Sequence, residues 1–170
     1  MKPFDNVTHA TEEGAKQAAE CLATYWPERE IPVDAVLMAR RMGVRPLLAK
    51  LPVNVSGAIS KRAGADATIY VEETEPSVRQ RFTVAHELGH YVRQSGDETI
   101  EFVDFRDKSS RTGTDPEEVF ANSFAANVLM PEAEFRAMWT LYKNVIPLAR
   151  EFRVSVDAAN WRLKKLGIGD

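Results

Sequence analysis

Cysteine occurs once among the 170 residues, as Cys21, so no disulfide can close within the chain and a disulfide-stapled secreted scaffold is excluded. No apolar run approaches the roughly 20 residues that a membrane-spanning helix needs. The opening residues, Met1-Lys2-Pro3-Phe4-Asp5-Asn6, lack the apolar core of a signal peptide. An excess of one charge is missing too. Twenty-two basic and 25 acidic residues give a formal net charge of -3, which offers no overall field for nucleic acid or an anionic membrane. We therefore expect a soluble, cytoplasmic, globular protein, in keeping with 44% apolar and 28% charged residues. The length suits one well-packed domain with a small appendage.

Histidine is scarce as well, with three in the chain, yet two of them share the stretch Arg81-Phe82-Thr83-Val84-Ala85-His86-Glu87-Leu88-Gly89-His90. This is H-E-x-x-H. On a helix, positions i and i+4 project from one face, so His86 and His90 can grip one ion. Glu87 lies about 100° further round, placed to reach a water rather than the metal. Zinc takes imidazole nitrogen in tetrahedral sites, and a zinc hydrolase needs this arrangement of ligands and base.

Residues 11–26 are predicted as a helix with Ala15, Ala18, Ala19, Leu22 and Tyr25 or Trp26 at helical spacing, and Cys21 as a small buried residue upon it. His9 precedes this helix as a solvated loop residue. A second helix runs from about Val33 to Met42 and ends at Gly43. Three short strands follow, at 44–47, 55–59 and 67–71, the last two forming a hairpin around residues 62–66, with Lys61 and Arg62 in a solvated turn. Glu75-Pro76-Ser77 starts the motif helix, whose Val78, Phe82, Ala85, Gly89 and Val92 form one buried stripe with the histidines along its edge. A mid-helix glycine costs about 1 kcal/mol against alanine. Close approach of a neighbouring backbone would compensate at Gly89. Residues 95–114 are polar apart from Ile100-Glu101-Phe102-Val103-Asp104-Phe105, either a strand or anchors beneath a long loop.

Two ligands underdetermine a zinc site. The next helix, from Asp115-Pro116 to about Met130, offers Glu118 as the third, although position N3 also suits a capping carboxylate and Glu117 is a second possibility. Asn122, one turn on, can orient a ligating histidine through its other ring nitrogen. Phe120, Phe124 and Val128 are read as core.

With both helices in place, Arg79 through Tyr91, Gly113 through Glu118 and Ala121 through Pro131 resemble the ImmA/IrrE family of metallopeptidases; weaker likeness runs from Ile31 to the C-terminus. The resemblance implies an α+β, gluzincin-like domain with a three- to four-stranded sheet packed on the H-E-x-x-H helix. It implies His86, His90 and Glu118 as metal ligands and Glu87 as catalytic base. Zinc is the expected metal, and manganese or iron fits the same donor set. It further implies a zinc-dependent endopeptidase acting on a protein, commonly a helix-turn-helix repressor encoded nearby, with cleavage relieving repression. Some relatives act instead as the toxin of a toxin–antitoxin pair, neutralised by a repressor-like antitoxin. The chain departs from the family in carrying Glu72 where asparagine is frequent. No further histidine stands between the motifs, which leaves Tyr91 and Arg106 as candidate oxyanion partners, though a packed tyrosine and a surface arginine are the simpler readings.

Residues 144–170 form a second unit beside a peptidase domain at 1–143. Asn144 to Leu166 is predicted as helix, turn, helix, with Ser155 as N-cap. A DNA-binding regulator with a non-catalytic metal site would use Asn160, Arg162, Lys164 and Lys165, but the weak local excess of basic residues argues against DNA binding. Trp161 is expected to anchor this unit on the peptidase body.

Overall fold

The computed structural model describes residues 7–105 and 115–169, and these form an α+β fold of seven helices and a four-stranded mixed sheet. The first helix, α1 (Val7–Tyr25), starts four residues before its predicted position, so His9 is an exposed helical residue and not part of a loop. Its buried stripe is Ala10, Gly14, Ala18 and Cys21, displaced from the predicted one, since Ala19 is exposed. Small residues there let α1 lie close on a later helix: a Cβ on Gly14 would stand 2.6 Å from the Phe120 carbonyl oxygen. Burial pushes the Cys21 thiol up to about 11. The next helix, α2 (Ala35–Arg41), is capped by Asp34, whose carboxylate accepts from the Val36 and Leu37 amides at 3.0 Å, and Gly43 follows it with φ of +77°.

The strands are β1 (Val44–Ala49), β2 (Val55–Lys61), β3 (Ala67–Glu72) and β4 (Ile100–Phe105), in the order β1-β3-β2-β4. β2 and β3 form the expected hairpin, β1 runs parallel to β3, and β4 pairs antiparallel with β2, placing Phe102 opposite Ile59. The alternation at 100–105 is therefore a strand. Its burial alternates accordingly: Ile100 is buried, Glu101 and Val103 exposed, Phe102 half-buried. Lys61 ends β2 instead of sitting in the turn, and its ammonium donates to the Asp97 carbonyl at 3.1 Å.

The helix α3 (Ser77–Arg93) lies between the sheet and α4 (Pro116–Leu129), and α4 lies between α3 and α1. Sandwiched on two sides, α3 buries eight consecutive residues, Thr83 to His90, where an amphipathic stripe was predicted. The expected close approach at Gly89 is present, since a Cβ there would meet the Ala121 Cα at 2.9 Å. After α4 come α5 (Glu132–Tyr142), α6 (Val145–Phe152) and α7 (Val156–Lys165). Asn144 and Ser155 cap α6 and α7 through the Ile146 and Ala158 amides. Leu148, Phe152, Ala159 and Leu163 from these last helices share one core with Val84 and Leu88 of α3. Among the described residues no helix is long and apolar enough to cross a membrane.

Candidate metal centre

Helical spacing stacks His86 and His90 one turn apart on α3, and their Nε2 atoms stand 3.2 Å from each other. The neighbouring helix α4 begins with Asp115 as N-cap, whose carboxylate accepts from the Glu117 amide at 3.0 Å, and Pro116 follows in the first turn. The Glu118 carboxylate turns towards α3. One of its oxygens lies 3.4 Å from His86 Nε2 and the other 3.4 Å from His90 Nε2. Donors held tetrahedrally at about 2.0–2.1 Å from zinc stand about 3.3 Å apart, so the three spacings fit one ion of that size. These three residues could hold a metal ion. Glu117 points elsewhere, its carboxylate 3.6 Å from Arg93 Nε.

Both imidazoles are almost wholly enclosed, at 1% and 2% exposure, and each is oriented by a different neighbour. His86 donates from Nδ1 to the Asn122 side-chain oxygen at 3.1 Å, which leaves its Nε2 lone pair for a metal. His90 stacks on Phe102 of β4, with ring centroids 4.2 Å apart and planes 13° off parallel. Burial lowers the His90 pKa, against the opposing hydrogen bond and charge of Glu118. Burial would raise Glu118, but its hydrogen bonds to both histidines and their charges outweigh this and hold it well below the usual carboxylate range. A divalent cation would displace the ring protons that these bonds use and hold neutral imidazoles beside the ionised carboxylate.

Glu87 is fully buried and its carboxylate lies over the bare Cα of Gly57, where a Cβ would come within 3.1 Å of Glu87 Oε1 and 2.3 Å of Thr83 Cγ2. Gly57 on β2 thus makes room for the glutamate beside the histidines. Its role was missed from the sequence, although a glycine inside a strand pattern is a sign of close approach. Phe102 was missed too; nothing in the chain marks which aromatic will face His90. Glu72, the departure from the family, lies outside the donor cluster. Its carboxylate accepts from the amides of Leu51 (2.7 Å) and Thr74 (3.0 Å) and from the Thr74 hydroxyl (2.8 Å), tying loops at one end of the sheet. Tyr91 packs against the core, and Arg106 lies outside the described residues.

A cleft of about 330 Å³ opens beside His86 between α3, α4 and α7. Two neighbours on α7 exchange their expected roles there. Trp161 is 43% exposed and lines the cleft, instead of anchoring the helix. Arg162 is the anchor: it is buried and donates to the Met130 carbonyl at 3.1 Å and the Asn127 side-chain oxygen at 2.8 Å.

No curated protein matches the chain in sequence. A solved structure named as a Mycobacterium tuberculosis transcriptional regulator is similar in fold, with a TM-score of 0.63 at 16% identity over 91% of this chain. The match spans 51% of that chain, so the present sequence covers about half of its length. The family described as Peptidase_M78, the IrrE N-terminal-like domain, matches residues 39–164, from α2 through the two site helices to α7. With most of its length matched and the His86, His90 and Glu118 cluster inside the match, the chain belongs to that family.

Proposed function

We propose that this protein is a zinc-dependent endopeptidase whose ligands are His86, His90 and Glu118 and whose catalytic base is Glu87. The observation that carries the reading is the mutual spacing of the three donors, 3.2 to 3.4 Å, with a buried glutamate next in sequence to the first of them. When bound, zinc supplies a Lewis acid that polarises the scissile carbonyl and acidifies a water. Glu87 takes the proton of the attacking water and returns it to the leaving amine. Asn122 holds the His86 ring in register through Nδ1, and the stack on Phe102 does the same for His90. Gly57 keeps the space that Glu87 occupies. The proposed substrate is a protein, a helix-turn-helix repressor encoded nearby, and cleavage would relieve its repression. Burial of Arg162 withdraws one of the basic residues that a DNA-reading α7 would present, which favours the peptidase reading over a DNA-binding regulator.

The test is cleavage of the adjacently encoded repressor-like protein by wild-type and Glu87→Gln protein, with metal content measured on both. The expected result is equal zinc in the two proteins, cleavage abolished by a chelator, and turnover lowered roughly 100- to 10,000-fold by the substitution. An undiminished rate from Glu87→Gln would overturn Glu87 as base. Loss of zinc from Glu87→Gln would make it a ligand instead.

A further inference from the structure

The cleft beside His86 has a wall that the proposed chemistry does not use. Of its polar lining groups, Asn122 is engaged with His86, and Arg79 is paired with Glu75 at 3.2 Å and donates to Ser56 at 3.3 Å. Beside Thr83 and His86, the remaining surface is methyl, thioether and aromatic: Phe82, Ala126, Met130, Ala158 and Trp161. The residues of α7 that face the core are Ala159, Arg162 and Leu163, so Trp161 is left over from packing and stands at the cleft with 43% of its surface in solvent. The Lys165 ammonium lies 5.4 Å from its ring centroid on the same helix. An indole left half-exposed beside a donor cluster is surface available to a ligand.

We infer that α7 is the specificity wall of this cleft, and that Trp161 and Ala158, with Phe82, Ala126 and Met130, receive one large apolar side chain of a peptide next to the bond being cut. The inference rests on the peptidase reading. The occupant follows from two features of the cleft. His86 belongs both to its lining and to the donor cluster, so a chain whose carbonyl approaches the metal centre brings its neighbouring side chain here. At about 330 Å³ the cleft is at the small end of ligand pockets and suits a single leucine, methionine or phenylalanine side chain, not a folded element. Trp161 and Ala158 are specificity-determining residues, not catalytic ones. The helix pair 144–166 then serves the same site as α3 and α4.

The experiment uses the full chain loaded with zinc and the hydroxamates of N-acetyl-leucine, -phenylalanine, -alanine and -aspartate, whose shared chelating group leaves the side chain as the variable. Binding is followed by calorimetry and by tryptophan fluorescence. The leucine and phenylalanine compounds are expected to bind roughly 10- to 100-fold tighter than the alanine and aspartate compounds. Trp161→Ala, which opens the cleft, and Ala158→Leu, which fills it, should each erase that preference while binding the alanine compound as before. Only in the wild type should the apolar compounds change the fluorescence of Trp161. A flat series on the wild-type protein, or a preference that survives both substitutions, overturns the inference and leaves the peptidase reading standing. Failure of every hydroxamate to bind the zinc-loaded protein overturns both.

Discussion

At Gly89 an added methyl group would press on the Cα of Ala121, an atom of helical backbone that cannot swing aside. Gly89→Ala therefore sets two effects against each other. Alanine improves the helix by about 1 kcal/mol, and the overpacked contact costs about 1–3 kcal/mol. The contact wins because both partners are rigid. Urea unfolding of the metal-free protein should show Gly89→Ala destabilised, and a variant more stable than wild type would refute the close packing of α3 on α4. The same substitution should weaken metal affinity, because parting these helices moves Glu118 away from His86 and His90. Glycine mid-helix was readable from the sequence as a cost that needed a reason. The partner backbone was not, since Ala121 lies 32 positions further along and nothing local names it.

Single residues decide how α7 is held. Arg162 is 4% exposed, and burial lowers its pKa to about 10. The guanidinium keeps its place by donating to the Met130 carbonyl and to Asn127. Removing it strands these acceptors, at a cost of about 1–3 kcal/mol. Arg162→Ala should therefore lower the melting temperature by about 2–4 °C per kcal/mol lost, whereas alanine at the exposed Lys164 and Lys165 should leave it unchanged. Equal effects from the three substitutions would remove Arg162 as the anchor. From the sequence, a basic residue on the last helix reads as surface and a tryptophan beside it reads as the anchor. That expectation rests on average burial. It failed because α7 meets the end of α4, where the carbonyl of the buried Met130 and the Asn127 side-chain oxygen take a donor that an indole would not supply to both.

For the molecule as a whole, the buried donors set how stability responds to acid. The His90 pKa is depressed from its ordinary 6.5 chiefly by burial, so below pH 6.5 the unfolded chain binds a proton that the folded one resists. Stability of the metal-free protein therefore falls as pH drops below 6.5, by up to about 1.4 kcal/mol per unit. Glu118 is shifted below its ordinary 4.5, so its contribution is present above that value and is lost only on further acidification. Thermal unfolding of the metal-free protein should show a lower midpoint at pH 5.5 than at pH 7.5, conditions chosen about one unit either side of the imidazole value. Zinc should move the onset of this fall to lower pH, because a ligating imidazole cannot take the proton. A metal-free midpoint that is flat across this interval would contradict the burial of His90 as a neutral ring.

The local rules of the chain were sufficient for several features. Spacing of four puts two histidines on one helix face, Asp115-Pro116 starts α4 and so aims its first turn, and Ser155 caps α7. Each of these depends on residues within a few positions of one another, and backbone geometry carries the consequence. Bringing Glu118 to the histidines needed a family resemblance, because the choice between Glu117 and Glu118 turns on how α4 is rotated against α3. That rotation is set where Gly89 meets Ala121, a contact between distant parts of the chain. The stacking of Phe102 on His90, the room Gly57 leaves for Glu87 and the exchange of roles between Trp161 and Arg162 have the same origin. They arise where separate elements press together, and close packing, unlike helical or strand periodicity, leaves no regular mark on the order of residues.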